Sequence, residues 1–191
     1  IFVPLFLQVL HHQSPLAAGY LAALMAGGWT LGSIASSGAH GKGIRRAILA
    51  GPILGLTGMA ALAVLIRVES SGGWLTVTPI CLALVAVGFG VGLAWPHLLT
   101  RVFQVTPASE QDLAGASITT VQLFATALGA ALAGMVANLA GLTHPAGIAG
   151  TANAAGWLFG VFAVAPGVAI FTALRVIRCY SKDQAITAGH R

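Results

Sequence analysis

Thr119, Gln122 and Thr126 sit three and four residues apart inside a long apolar run. A helix there places two hydroxyls and a carboxamide on one face. Such groups make hydrogen bonds, either to a neighbouring helix or to a polar molecule held beside them, and both roles stay open for Gln122. Gln8 adds a second carboxamide and Thr30 a third hydroxyl from other apolar runs. Trp29 and Trp95 offer flat indole faces to apolar or cationic guests. The groups that perform covalent chemistry lie elsewhere. All four acids, Glu69, Glu110, Asp112 and Asp183, fall between or beyond the apolar runs, which leaves no paired carboxylates within one. The six histidines are scattered: His11 and His12 are adjacent, and His97, near the end of a run, is a weak candidate for proton exchange. Nothing resembles HExxH, a multi-cysteine metal site or a GxSxG nucleophile turn. Cys81 and Cys179 are far apart and suggest no disulfide framework. Neither enzymatic chemistry, a metal nor a cofactor is expected.

Five apolar stretches must position these groups: Pro15–Ser37, Ala47–Ile66, Leu75–Leu99, Leu113–Leu142 and Thr151–Ile177. A helix crossing a hydrocarbon core about 30 Å thick needs roughly 20 apolar residues, and each stretch meets that length. Hydrophobic residues make up 57% of the 191-residue chain and charged residues only 7%. Soluble domains carry about 25% charged residues, so most side chains here face lipid or other helices. The sequence predicts an all-α membrane protein, a polytopic helical bundle. Ile1–Leu10 reads as the tail end of a further, truncated transmembrane helix, with more chain expected before it. The bundle is expected over 1–178, followed by a tail over 179–191. The net charge of +5 belongs to joins between spans. No basic patch interleaved with aromatics supports nucleic-acid binding.

The charges also orient the spans. Lys42, Arg45 and Arg46 follow the first full span, Arg101 follows the third, and Arg175, Arg178 and Lys182 follow the fifth. The alternate joins hold Arg67 alone. Positive joins mark the cytoplasmic side, which places the C-terminus there. Ser14 and Pro15 have the residue types of an N-cap and first helical position. On the first full span Gly19, Ala22, Ala26, Thr30, Ser33 and Ser37 recur on one face, predicted to pack on protein or line a cavity. Gly51 and Gly55 form a GxxxG, a close-contact signal in membranes. The run Gly88-Phe89-Gly90-Val91-Gly92 lies inside an apolar span with no strand before it, so it predicts tight packing and not a phosphate loop. Pro96 is expected to kink or end the third span, and Pro166 to kink the fifth. Trp157 suits a membrane interface.

The runs FVPLFLQVLHHQSPLAAGYLAALMAGGWTLGSI and GVGLAWPHLLTRVFQVTPASEQDLAGASITTVQLFATALGAALAG carry a family resemblance. The first is similar to the seventh and eighth core helices of major facilitator superfamily transporters, above all the fourteen-helix drug:proton antiporters. The second resembles the tenth and eleventh, with Pro107, Glu110, Ala114 and Gly115 in the inner connector. The basic join departs from the family's G-x-x-x-D-R-x-G-R-R signature: Gly43, Arg45 and Arg46 fit, but the Asp position falls on His40 or Gly41.

The resemblance implies the C-terminal half of a two-bundle transporter built from inverted repeats, in a bacterial inner membrane. It implies alternating-access export of amphipathic drug-like compounds, with proton coupling through a carboxylate outside this segment. The missing N-terminal half, the lipid bilayer, the small-molecule substrate and protons are the expected partners. Gln8, Trp29, Thr30, Trp95, Gln122 and Thr126 are the expected substrate-binding residues. Lys42, Arg45, Arg46 and Glu110 are expected to form the cytoplasmic closure contacts. The truncated helix and the first, third and fourth full spans would surround the cavity, with the second and fifth outside. A non-transporting scaffold or sensor module, and a metabolite carrier of the same fold, are the alternatives.

Overall fold

The computed structural model describes residues 1–175, and within them the chain is a bundle of helices. Arg178, Lys182, Asp183, Cys179 and the tail over 179–191 lie outside the described residues. The helices are α1 (Val3–His11), α2 (Pro15–Ser36), α3 (Lys42–Leu65), α4 (Trp74–Val105), α5 (Gln111–Leu139) and α6 (Gly147–Phe162). A 3-10 turn, Ala108–Glu110, leads into α5, and helix resumes after α6 over 164–175. The fold is an all-α membrane protein. Four stretches are long and apolar enough to cross a bilayer: Lys42–Leu65, Trp74–Val105, Ala108–Leu139 and Gly147–Arg175. The α2 helix, at 22 residues, has the length. Its Gly27, Gly28, Thr30, Gly32 and Ser33 dilute its hydropathy, so it is the least lipophilic of the five expected spans.

Local chemistry explains most boundaries. Ser14 Oγ accepts the Ala17 N–H and Pro15 opens α2, as its sequence predicts. Pro166 cannot donate a backbone hydrogen bond and its ring crowds the Phe162 carbonyl four residues back, and α6 breaks at Ala163. Pro96 does not end α4, which continues to Val105. The carbonyl that Pro96 leaves without a helical donor is that of Gly92, and it accepts the Ser33 hydroxyl of α2 at 3.4 Å. A neighbouring helix thus repairs the bond that the proline removes.

The α4 helix is the axis of the bundle, packed against α2 on one side and α3 on the other. A Cβ on Gly88 would collide with the Met25 carbonyl and stand 3.0 Å from the Trp29 nitrogen, and one on Gly92 would collide with the Trp29 carbonyl. Gly28 and Gly32 of α2 meet Val85 and Phe89 in the same way. Numbers rise together along both chains, so α2 and α4 run parallel. Gly90 points the other way, onto the Gly51 carbonyl, while Gly51 meets Gly90 and Ala94, and Gly58 meets Ala83 and Val87. Here numbers rise against each other, so α3 is antiparallel to α4. The short α1 is wedged against α2 and α6, with Phe6, Leu7 and Leu10 fully buried and Phe6 edge-on to Phe159. The α5 helix leans chiefly on α6, through Ala133 and Ala137.

Candidate functional site

The polar stripe of α5 is open. Thr119 Oγ1 donates to the Gly115 carbonyl and Thr126 Oγ1 to the Gln122 carbonyl, each within its own helix. Gln122 is exposed, and among the described residues its amide has no hydrogen-bond partner. Of the two roles the sequence leaves open, bonding to a neighbouring helix is therefore not made within this bundle. At about 100° per residue, positions 119, 122 and 126 share a face with Ala133. Ala133 is pressed against the bundle. The stripe is thus the continuation of the helix's packed side, left uncovered where α5 parts from its neighbours. Phe124 and Leu128 lie on the opposite side and are also exposed, at 69% and 49%.

The α2 helix presents a second open face, of small and weakly polar residues. Its packed residues are Ala18, Gly28, Gly32 and Ser36, with Ser33 bonded across to Gly92. Gly19, Ala26, Thr30 and Ser37, from the stripe singled out in the sequence, are exposed instead. The physical reason is that α2 carries small residues around most of its circumference, and α4 takes the face whose glycines match its own. Thr30 Oγ1 donates to the Ala26 carbonyl. Trp29 is 45% exposed, with its backbone against Gly88 and Gly92, and Trp95 is half-buried one turn further along α4. Gln8 is half-buried and its Nε2 donates to the Pro4 carbonyl within α1. Trp29 and Trp95 therefore belong to the two helices that pack together, whereas Gln122 and Thr126 stand apart on α5.

The basic end is assembled differently. Lys42, Arg45 and Arg46 fall within the first five residues of α3 and, with Leu49, line a groove of about 280 Å³. Cations at a helix N-terminus oppose the helix dipole, so this turn favours an anionic neighbour. Glu110 is exposed in the 3-10 turn and makes no ion pair with them among the described residues. His97 Nε2 is buried without a hydrogen-bond partner.

Two proteins of Mycobacterium tuberculosis, from two strains and both named probable multidrug-efflux transporters, are similar to this chain. Each is 41% identical over 141 residues, which cover 73% of this chain and 30% of the relative. The chain therefore spans about 30% of the length of the curated relatives it matches. No family model matches the chain, and no solved structure matches it.

Sequence reasoning missed the join network opposite the basic end. His11 is buried at the end of α1. Its Nε2–H donates to the Ile66 carbonyl at 3.1 Å, and its Nδ1 accepts the Ser70 hydroxyl at 2.8 Å. Gln13 Nε2 donates to the carbonyls of His11 and Gly72, and the Ser70 N–H donates to the Leu10 carbonyl. Gly72 takes φ +75° and lies against the His11 carbonyl, a position that a side chain would strain. The α1–α2 and α3–α4 joins are thereby clasped. Burial, the larger effect, and the neighbouring His12 hold the His11 imidazole below its ordinary pKa, against the Ile66 bond that raises it. The sequence signal was only the adjacent pair His11-His12, whereas the partners of His11 lie 55 and 59 positions away.

Proposed function

We propose that this chain is the C-terminal part of a secondary transporter of the major facilitator type, within its fourteen-helix drug-exporting branch. It exports amphipathic organic compounds by alternating access, carries them without chemical change, and couples to protons through a carboxylate elsewhere in the protein. Its membrane is the bacterial inner membrane and its C-terminus is cytoplasmic, on the side of Lys42, Arg45 and Arg46. The observation that carries this reading is the unpartnered polar face of α5. A carboxamide facing acyl tails costs several kcal/mol, so Gln122 turns to water, cargo or the other half of the protein. The names of the mycobacterial relatives, which the chain matches at 41% identity, support efflux as the use of that face.

In this reading Gln122 and Gln8 hydrogen-bond cargo, Thr30 and Thr126 line its path, and Trp29 and Trp95 give it flat apolar contact. Lys42, Arg45, Arg46 and Glu110 close the cytoplasmic side against the other bundle. The N-terminal half of the protein supplies the facing wall of the cavity. The test is efflux of fluorescent cationic dyes by the full-length protein. Gln122→Leu removes a hydrogen bond worth about 1 kcal/mol, which lowers transport efficiency about fivefold. Phe124→Ala, on the opposite face, leaves efflux close to wild type. Unchanged efflux of several dyes by Gln122→Leu removes this residue from the pathway.

A further inference from the structure

Arg67 follows α3 at the end of the bundle opposite Lys42. It is the sole Lys or Arg at that end among the described residues. Its guanidinium makes no ion pair or hydrogen bond within those residues. The nearest acid in sequence, Glu69, faces His12 Nε2 at 3.8 Å instead. The Arg67 side chain extends across α6: a Cβ built on Gly156 would stand 3.5 Å from its Cδ and 3.6 Å from its Nη1. Arg67 and Asn153 form the polar mouth of a groove of about 550 Å³. Trp157 stands on its rim, and Gly160, Val161 and Val164 line its further reach. From Asn153 to the end of α6 at Phe162 the helix rises about 14 Å, away from the join and into the span. The groove thus has a cationic head, an interfacial indole and an apolar tail in the order of an amphiphile. A second groove, of about 350 Å³, shares Asn153, Trp157 and Val161 and is closed on its other side by Val136 and Leu139 of α5.

We propose that this pair of grooves holds one anionic phospholipid. Its phosphate lies on Arg67, its backbone beside Asn153 and Trp157, and its two acyl chains run down either side of Trp157. Three observations select this occupant. An unpaired guanidinium presents a planar fork of donors that matches phosphate oxygens. Trp157 is 59% exposed one helical turn beyond Asn153, and indoles favour the headgroup region of a bilayer. Two grooves flank the ridge of Asn153, Trp157 and Val161, which fits two chains better than one. A zwitterionic lipid would bring its own ammonium to a site already holding a cation, so net negative charge is favoured. The assignment needs only the membrane fold and is independent of the transport reading.

Native mass spectrometry of the full-length protein, purified with an equal mixture of phosphatidylglycerol and phosphatidylcholine, tests it. The wild-type protein is expected to retain phosphatidylglycerol at least threefold over phosphatidylcholine. Arg67→Gln is expected to lose one tightly held phosphatidylglycerol, and Arg67→Lys to keep it in part. Gly160→Leu, at a position where an added Cβ meets nothing within 4 Å, fills the groove without touching Arg67 and is expected to lose the same lipid. Melting temperatures near wild type establish that each variant is folded. Equal retention of the two lipids by the wild type overturns the proposal. So does an unchanged count of bound phosphatidylglycerol in Arg67→Gln, or displacement of that lipid by millimolar inorganic phosphate, which marks a plain phosphate site.

Discussion

His11 shows how a single side chain can hold two joins of the bundle together. In the neutral ring that its burial favours, Nε2–H donates to the Ile66 carbonyl and Nδ1 receives the Ser70 hydroxyl. The folded pKa lies below the unfolded one, because burial disfavours the imidazolium. The unfolded state therefore binds more protons, and stability rises with pH across this window. The contribution is complete above the ordinary histidine pKa of about 6.5 and is lost as the pH falls from there through the folded value. The melting temperature of the purified protein is expected to drop between pH 7.5 and 5.5. His11→Leu is expected to lower it at pH 7.5 by leaving Ser70 and the Ile66 carbonyl without their partner, at about 1–3 kcal/mol. The same variant is expected to flatten the acid-side decline relative to wild type, and an identical decline in both proteins refutes this role. The residues of the candidate cavity were more legible than His11. Spacing alone puts Thr119, Gln122 and Thr126 on one face, because helical periodicity is local. Which residue clasps which join depends on contacts across 55 and 59 positions, and no local pattern encodes those.

At the scale of helices, the five-residue run Gly88–Gly92 does the work of two interfaces. Gly88 and Gly92 are four apart and lie on the α2 side, and Gly90 lies on the α3 side, so α4 is thinned in two directions at one level. Backbones then approach closely enough for dispersion and weak polar contacts to replace the hydrophobic drive that lipid does not supply. Gly88→Leu forces α2 and α4 apart and is expected to cost about 3 kcal/mol, the upper range for overpacking. Gly129→Ala, where an added methyl meets nothing within 4 Å, is expected to be neutral or slightly stabilising. Thermal unfolding in detergent separates the two, and equal midpoints would show that the contact is not required. The composition of small residues made this packing readable, along with the GxxxG of Gly51 and Gly55. It did not reveal which side of α2 would be used, because Gly, Ala and Ser occur on nearly all of its faces. Nor did it reveal that α4 would pass Pro96, since the hydroxyl that repairs the break comes from Ser33 on another helix.

For the whole molecule the decisive contrast is between two kinds of exposed surface. Much of the exterior is apolar, including Leu31, Val64, Leu82, Phe124 and Met135. In water such extensive exposure would drive association, whereas in a bilayer it is the ordinary outer face. The stripe of Thr119, Gln122 and Thr126 is equally uncovered; the two hydroxyls are bonded within the helix, but the Gln122 carboxamide is unsuited to acyl chains. One bundle with both surfaces needs two environments, lipid on one side and a polar interior or a second bundle on the other. Single-cysteine labelling of the full-length protein in its membrane distinguishes them, in a background where Cys81 and Cys179 are replaced by serine. A membrane-impermeant maleimide is expected to modify Gln122→Cys and Thr126→Cys from the aqueous phase, at least tenfold faster than Phe124→Cys and Leu128→Cys. If the proposed transport role holds, an added transported dye is expected to slow the first pair and leave the second pair unchanged, because only the first would share space with cargo. Equal rates at all four positions, or faster labelling of Phe124→Cys, would turn α5 around and place its amide towards lipid. That orientation is incompatible with a cavity built on this face, whatever the rest of the protein contributes.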